Sequence, residues 1–207
     1  YRKDLDSLEV VSQFHANLWG ERFTGVDAGF LDDMLHHESS GDWNARPELG
    51  SAYGGFQFID STWRRMMREH GRSYGLKLDP RARPGTPEYD ALMELRSDQR
   101  WGTVMAAEYA KENAAHMERV LRRPVTQKEA YLAHFLGSGT ALKLLRAGPD
   151  KVAADLLPAE AKNNMNVFYI NQDPMRPRTV KQVIARQAKN FSNDLLLPAE
   201  ATDGGET

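Results

Sequence analysis

Residues 26–40 read VDAGFLDDMLHHESS, and this stretch decides the fold class. Phe30, Leu31, Met34 and Leu35 recur at three- and four-residue steps, the period of an amphipathic helix rather than of a strand. The spacing predicts a helix from about Val26 to Ser39. The same period continues on both sides. Leu5, Leu8, Val11, Phe14 or His15, and Leu18 predict a first helix running from Leu5 to near Gly20. Asp60-Ser61-Thr62 reads as an N-cap cluster for a helix through Trp63, Met66 and Met67 that stops at Gly71. Thr86-Pro87 places proline at a first helical position. The helical pattern then runs, with a break near Ser97, to about Leu121, and Pro124 closes it. Thr126 with Glu129, and Thr179 with Gln182, are capping boxes that open helices to Gly137 and to about Phe191.

Strand-like runs are confined to Tyr53–Ile59 and Val167–Ile170, and the segments 41–52 and 71–85 read as loops. The expectation is a mainly α, single-domain protein with at most a very small β element. Its body spans 1–195, and a mobile C-terminal tail covers 196–207, most of it small and polar from Pro198 to Thr207.

Composition narrows the function. The chain has 207 residues, 27 basic against 29 acidic, for a net charge of −2, which argues against nucleic acid as a partner. It has no cysteine, so thiolate metal sites and cysteine nucleophiles are excluded. The longest stretch without Asp, Glu, Lys or Arg, Ala130 to Leu142, is too short for a membrane span.

Chemistry concentrates where the second helix ends. Glu38 follows Met34 by four residues and Leu31 by seven, which places its carboxyl group on the apolar stripe. A carboxylate there is costly unless it is protonated or partnered, and burial favours the protonated form, as a general acid requires. The other reading is a helix-end glutamate turned to solvent. Beyond it lies Ala52-Tyr53-Gly54-Gly55-Phe56-Gln57-Phe58-Ile59-Asp60-Ser61-Thr62-Trp63. Paired glycines let a backbone approach a ligand closely, and Gln57 can both donate to and accept from an acetamido group or hydroxyl. Tyr53, Phe56, Phe58, Trp43 and Trp63 offer flat faces for pyranose stacking, or else they are core. His36-His37-Glu38 lacks the i, i+4 histidine pair of a zinc helix, so neither a metal nor another cofactor is expected.

Glu38-Ser39, nineteen residues before Gln57 in the Gly-Gly-Phe-Gln segment, resembles the soluble lytic transglycosylase family. The family's third motif, Ala-Tyr-Asn-Ala-Gly, corresponds to Ala133-His134-Phe135-Leu136-Gly137, with His134 for Tyr and Phe135 for Asn. The form Tyr131-Leu132-Ala133-His134-Phe135-Leu136-Gly137 is similar to a branch seen in flagellum-associated and phage virion members. Tyr169 is the counterpart of the family's late tyrosine. The likeness covers about residues 26–191.

The resemblance implies a lysozyme-like fold and cleavage of the MurNAc–GlcNAc β-1,4 bond of peptidoglycan with formation of 1,6-anhydro-MurNAc. Glu38 would act as acid and then as base. Ser39, Tyr53, Gly55, Phe56, Gln57, His134 and Tyr169 would bind the glycan strand. It further implies work in the periplasm or cell envelope, or in a phage particle acting on the envelope, with a larger envelope or virion assembly as partner. Two other readings stay open. One is a hydrolytic muramidase of the goose-type-lysozyme kind, with Asp42 or Asp60 as base; the other is a non-catalytic wall-binding or virion structural module.

Overall fold

A computed structural model describes residues 4–10, 12–48 and 50–197. The molecule is organised around one long helix, α5 (Gln99–Leu121), whose residues Trp101 to Ala107 are all buried. A helix buried around its whole circumference must lie inside the protein. Gly102, Ala106, Ala107, Ala110 and Ala114 keep it thin enough for neighbours to approach on several sides. Asp98 starts it, its carboxylate accepting from the backbone N–H groups of Arg100 and Trp101. Packed against α5 are α1 (Gln13–Thr24), α2 (Ala28–Ser39), α3 (Asp60–His70), α6 (Gln127–Leu136) and α7 (Ser138–Leu145). Helix α4 (Pro87–Glu94) leans on α3 and joins α5 through a 3-10 turn, Leu95–Ser97, which is the break expected near Ser97.

The first helix departs from expectation. Leu5–Ser7 is only a 3-10 turn, and α1 begins at Gln13, capped by Ser12, and ends at Gly25. Val11 lies outside the described residues. The apolar stripe is also inverted, since Phe14 and Leu18 face solvent while Ala16, Asn17, Gly20 and Thr24 are buried. Space is the cause: a Cβ on Gly20 would lie 2.8 Å from Leu31 of α2. Only small or hydrogen-bonded residues fit that crossing, and Asn17 pairs with Gln13 and Asp32 there.

Both capping boxes form as their residues predict, at Thr126 with Glu129 and at Thr179 with Gln182. The Asp60 cluster starts its helix differently. Asp60 is already helical and caps nothing, because its carboxylate is 2.7 Å from the Arg96 guanidinium. After α7 come α8 (Ala153–Leu156), α9 (Pro158–Asn163), α10 (Met165–Phe168) and α11 (Val180–Gln187). They enclose a second, smaller apolar cluster with Leu144, Leu157, Phe168 and Val183, joined to the main core through Phe135 and Ile184. Val167 and Phe168, read as a strand, are the last turn of α10. Helix α11 stops at Gln187, short of Phe191.

The mainly α architecture stands, and among the described residues β pairing is confined to isolated bridges. None of the described helices is long and apolar enough to cross a membrane. Leu196 belongs to the body: it is fully buried, accepts from Asp27 N–H and donates to the Val125 carbonyl. The expected mobility of Pro198–Thr207 lies outside the described residues.

The loop 51–60 is held by Arg96, itself only 6% exposed. Its guanidinium donates to the carbonyls of Ser51, Phe58 and Met93 and to Asp60. Gly54 lies against the Arg96 backbone at φ +85°, where a Cβ would come 2.1 Å from the Arg96 carbonyl oxygen. Gly41 has a similar φ of +83° but open space around it. Gly54→Ala should therefore cost more than about 3 kcal/mol, and Gly41→Ala only the left-handed strain of about 1–2 kcal/mol. Denaturant unfolding of the two variants checks this; equal losses would mean that the contact with Arg96 is not constraining.

Candidate functional site

Glu38 is the penultimate residue of α2, one helical turn beyond the buried Met34 and Leu35. That position carries its side chain to the edge of the core, where it is 18% exposed. The Tyr131 hydroxyl on α6 donates to Glu38 Oε1 at 2.9 Å. Gln187 of α11 donates in turn to the Tyr131 oxygen at 3.3 Å. Because Tyr131 has a single hydroxyl proton, accepting from Gln187 directs that proton at Glu38. Phe191 stacks on the Tyr131 ring with centroids 4.1 Å apart, and the His37 ring meets its edge. Burial, then the Glu38 charge and hydrogen bond, push the Tyr131 hydroxyl well above its ordinary range, so it remains a donor.

His134 lies one turn after Tyr131 on the same face of α6, with Nε2 3.7 Å from Glu38 Oε1. Burial pushes its pKa below 6.5, opposed by the Glu38 charge and the Phe56 backbone, while His37 adds to the lowering. At neutral pH the imidazole is uncharged. Tyr109 and Phe58 face it edge-on.

These groups border a cleft of about 730 Å³ between the main core and the second cluster. Glu38, Gln57, Phe58, Thr62, Tyr109, His134, Phe135 and Asn164 are among its lining residues. Glu38 is the one carboxylate among the described residues that line it. Asp42 accepts from Asn44 N–H in its own turn and Asp60 is bound to Arg96, and neither is among the residues that line the cleft.

Of the residues expected in the site, Glu38, Gln57 and His134 come together. Gln57, at φ +50°, spends its amide N–H groups on the carbonyls of Ala45 and Gly54, which leaves its oxygen to offer an occupant. Ser39 is turned away by the helical rotation, and its hydroxyl donates to the Leu35 carbonyl. Tyr53 is buried but lines no part of the cleft, its hydroxyl donating to Glu94 and its ring lying beneath the Arg46 guanidinium. Gly55 serves packing, since a Cβ there would lie 2.5 Å from Leu35 and 3.0 Å from Trp43. Phe56 is buried edge-on to Trp43 and touches the site only through its backbone at His134. Tyr169 is half-buried against the second cluster and lines no part of the cleft. Trp43 and Trp63 are core as well, their indole N–H groups donating to Gln13 and to the Leu92 carbonyl. Of the expected aromatics only Phe58 lines the cleft, and Tyr109 and Phe135 add to its aromatic surface.

Tyr131, the hydrogen-bond donor to Glu38, is not among the expected site residues, although its three-residue spacing from His134 signals a shared helix face. Nothing in the local sequence marks Tyr109 or Asn164. No protein-family model matches the chain.

The Glu38 charge supports the proton on His134, so Glu38→Gln should lower the His134 pKa further below 6.5. Because the unfolded chain binds that proton more readily, stability from this group is complete above pH 6.5. It is lost as pH falls towards the folded value. NMR titration of the imidazole reads the shift directly; a rise in the variant would contradict the arrangement.

Proposed function

We propose that the protein is a peptidoglycan lytic transglycosylase in which Glu38 alone handles the proton. The observation that carries this reading is a single carboxylate in an open cleft, held by Tyr131 through Oε1. The likeness of Glu38-Ser39, the Gly-Gly-Phe-Gln segment and residues 131–137 to that family adds to it. Tyr131 occupies Oε1, so the transferable proton sits on Oε2. Glu38 gives this proton to the glycosidic oxygen as the C1–O bond breaks, and the N-acetyl oxygen of MurNAc bonds to C1. The Glu38 carboxylate then takes the proton of the C6 hydroxyl while O6 attacks C1 and releases the acetamido oxygen. The result is 1,6-anhydro-MurNAc, and Glu38 is reprotonated.

Paired-carboxylate glycosidases need a second carboxylate, as the nucleophile itself or as the base that activates water. The muramidase reading needs such a base, and neither of its candidates, Asp42 and Asp60, is among the residues that line the cleft, which favours the transglycosylase reading. The tethered C6 hydroxyl needs no such base to be positioned, which is the entropic advantage of an intramolecular nucleophile. The neutral His134 and the ring faces of Phe58 and Tyr109 make that end of the cleft poor in charge. Residence in the envelope, or in a phage particle that acts on it, follows from this substrate.

Glu38→Gln should lose about 10²-fold or more in the clearance of purified sacculi. Tyr131→Phe should lose roughly 10- to 100-fold, the worth of one hydrogen bond to a charged group. Turbidity assays on folded variants check both, and wild-type clearance by Glu38→Gln would overturn the reading.

A further inference from the structure

A second cavity of about 330 Å³ opens beside the cleft and shares Phe135 and Asn164 with it. The rest of its lining is His37, Asn166, Val167, Arg186, Gln187 and Lys189. Its described lining has cations and amides and no carboxylate. Among the described residues, no carboxylate lies within salt-bridge distance of Arg186, Lys189 or the nearby Arg178. Arg178 anchors the adjoining loop by donating to the carbonyls of Asn166 and Val167. Burial, and then repulsion from Arg186, depress its pKa. In a chain of net charge −2, this is a local excess of positive charge with no carboxylate partner among the described residues.

We propose that this side pocket is a subsite for carboxylates borne on a peptide branch of the glycan in the cleft, with Arg186 and Lys189 as its anion-binding side chains. The assignment rests on the glycan reading of the cleft. An uncharged sugar gives Arg186 and Lys189 nothing to meet, whereas a MurNAc substituent with peptide groups and free carboxylates matches both the amides and the cations. Charge-assisted hydrogen bonds from a guanidinium are the strong ones available to such a ligand. Placement also suits the chemistry. Gln187, at the pocket wall, donates to Tyr131, which holds Glu38, so a branch seated here is registered against the acid. The pocket would make the enzyme prefer peptide-substituted strands over stripped ones.

The test is calorimetric titration of the Glu38→Gln protein, which binds without turnover. One ligand is GlcNAc–MurNAc carrying an alanyl-isoglutamate peptide with free carboxylates; the other is the same molecule with those carboxyls amidated. The free acid should bind about tenfold more tightly at low salt, with the advantage shrinking as salt screens it. Adding Arg186→Ala and Lys189→Ala should abolish that preference and leave affinity for the amidated ligand unchanged. Both side chains are exposed, so the fold should not depend on them. Equal binding of the two ligands, or a preference that survives both substitutions, overturns the side pocket and leaves the cleft reading standing. If neither ligand binds, the glycan reading falls and the subsite falls with it.

Discussion

The cleft exists because one buried guanidinium holds its rim. Arg96 sits where α4 gives way to α5, and it binds the loop at Ser51 and Phe58 and the start of α3 at Asp60. A buried charge is stable only when its donors are matched, and these acceptors match it. The consequence reaches the site by way of short links. Phe58 and Thr62 can form a cleft wall only while the segment between Ser51 and Asp60 keeps its path. Gly54 must then be a glycine, because the Arg96 backbone occupies the space a side chain would need.

The proposed chemistry depends on a second set of contacts that gathers three distant parts of the chain. Glu38 comes from α2, Tyr131 and His134 from α6, and Gln187 from α11. Each is fixed by its own helix, and α2 and α6 are fixed in turn by packing on α5. Sites on rigid elements hold their geometry better than sites on loops, and Glu38, Tyr131 and His134 are all on helices whereas Gln57 is on a loop. The shared lining of the two pockets means that a branched ligand could touch Glu38 and the Arg186–Lys189 pair together.

Much of this was legible in the sequence where local chemistry decides. The Thr126 and Thr179 capping boxes, the proline after Thr86 and the apolar face of α2 all report on their own residues, and a helix begins at each, although α11 ends before its expected limit. Reading failed where tertiary space outweighed hydrophobicity. Phe14 and Leu18 looked like core, but the α1–α2 crossing admits only small residues, so the stripe turned outward. Asp60 looked like a cap and is instead a partner for Arg96, thirty-six positions away. In the site, Glu38 was readable from its helical phase, and His134 and Gln57 from their motif positions. Tyr53, Gly55 and Phe56 carry motif identity for packing reasons that only the contacts with Glu94, Leu35 and Trp43 reveal. The turns from α8 to α10 are too short to show a period, which hid Asn164.

The central claim is that one carboxylate suffices because the nucleophile belongs to the substrate. Mass spectrometry of the soluble products released from purified sacculi tests it most directly. The account predicts muropeptides lighter by one water than hydrolytic products, with MurNAc ends that resist borohydride reduction. New MurNAc ends that all reduce would contradict it, for water would then be the nucleophile and something other than Glu38 would have to activate it.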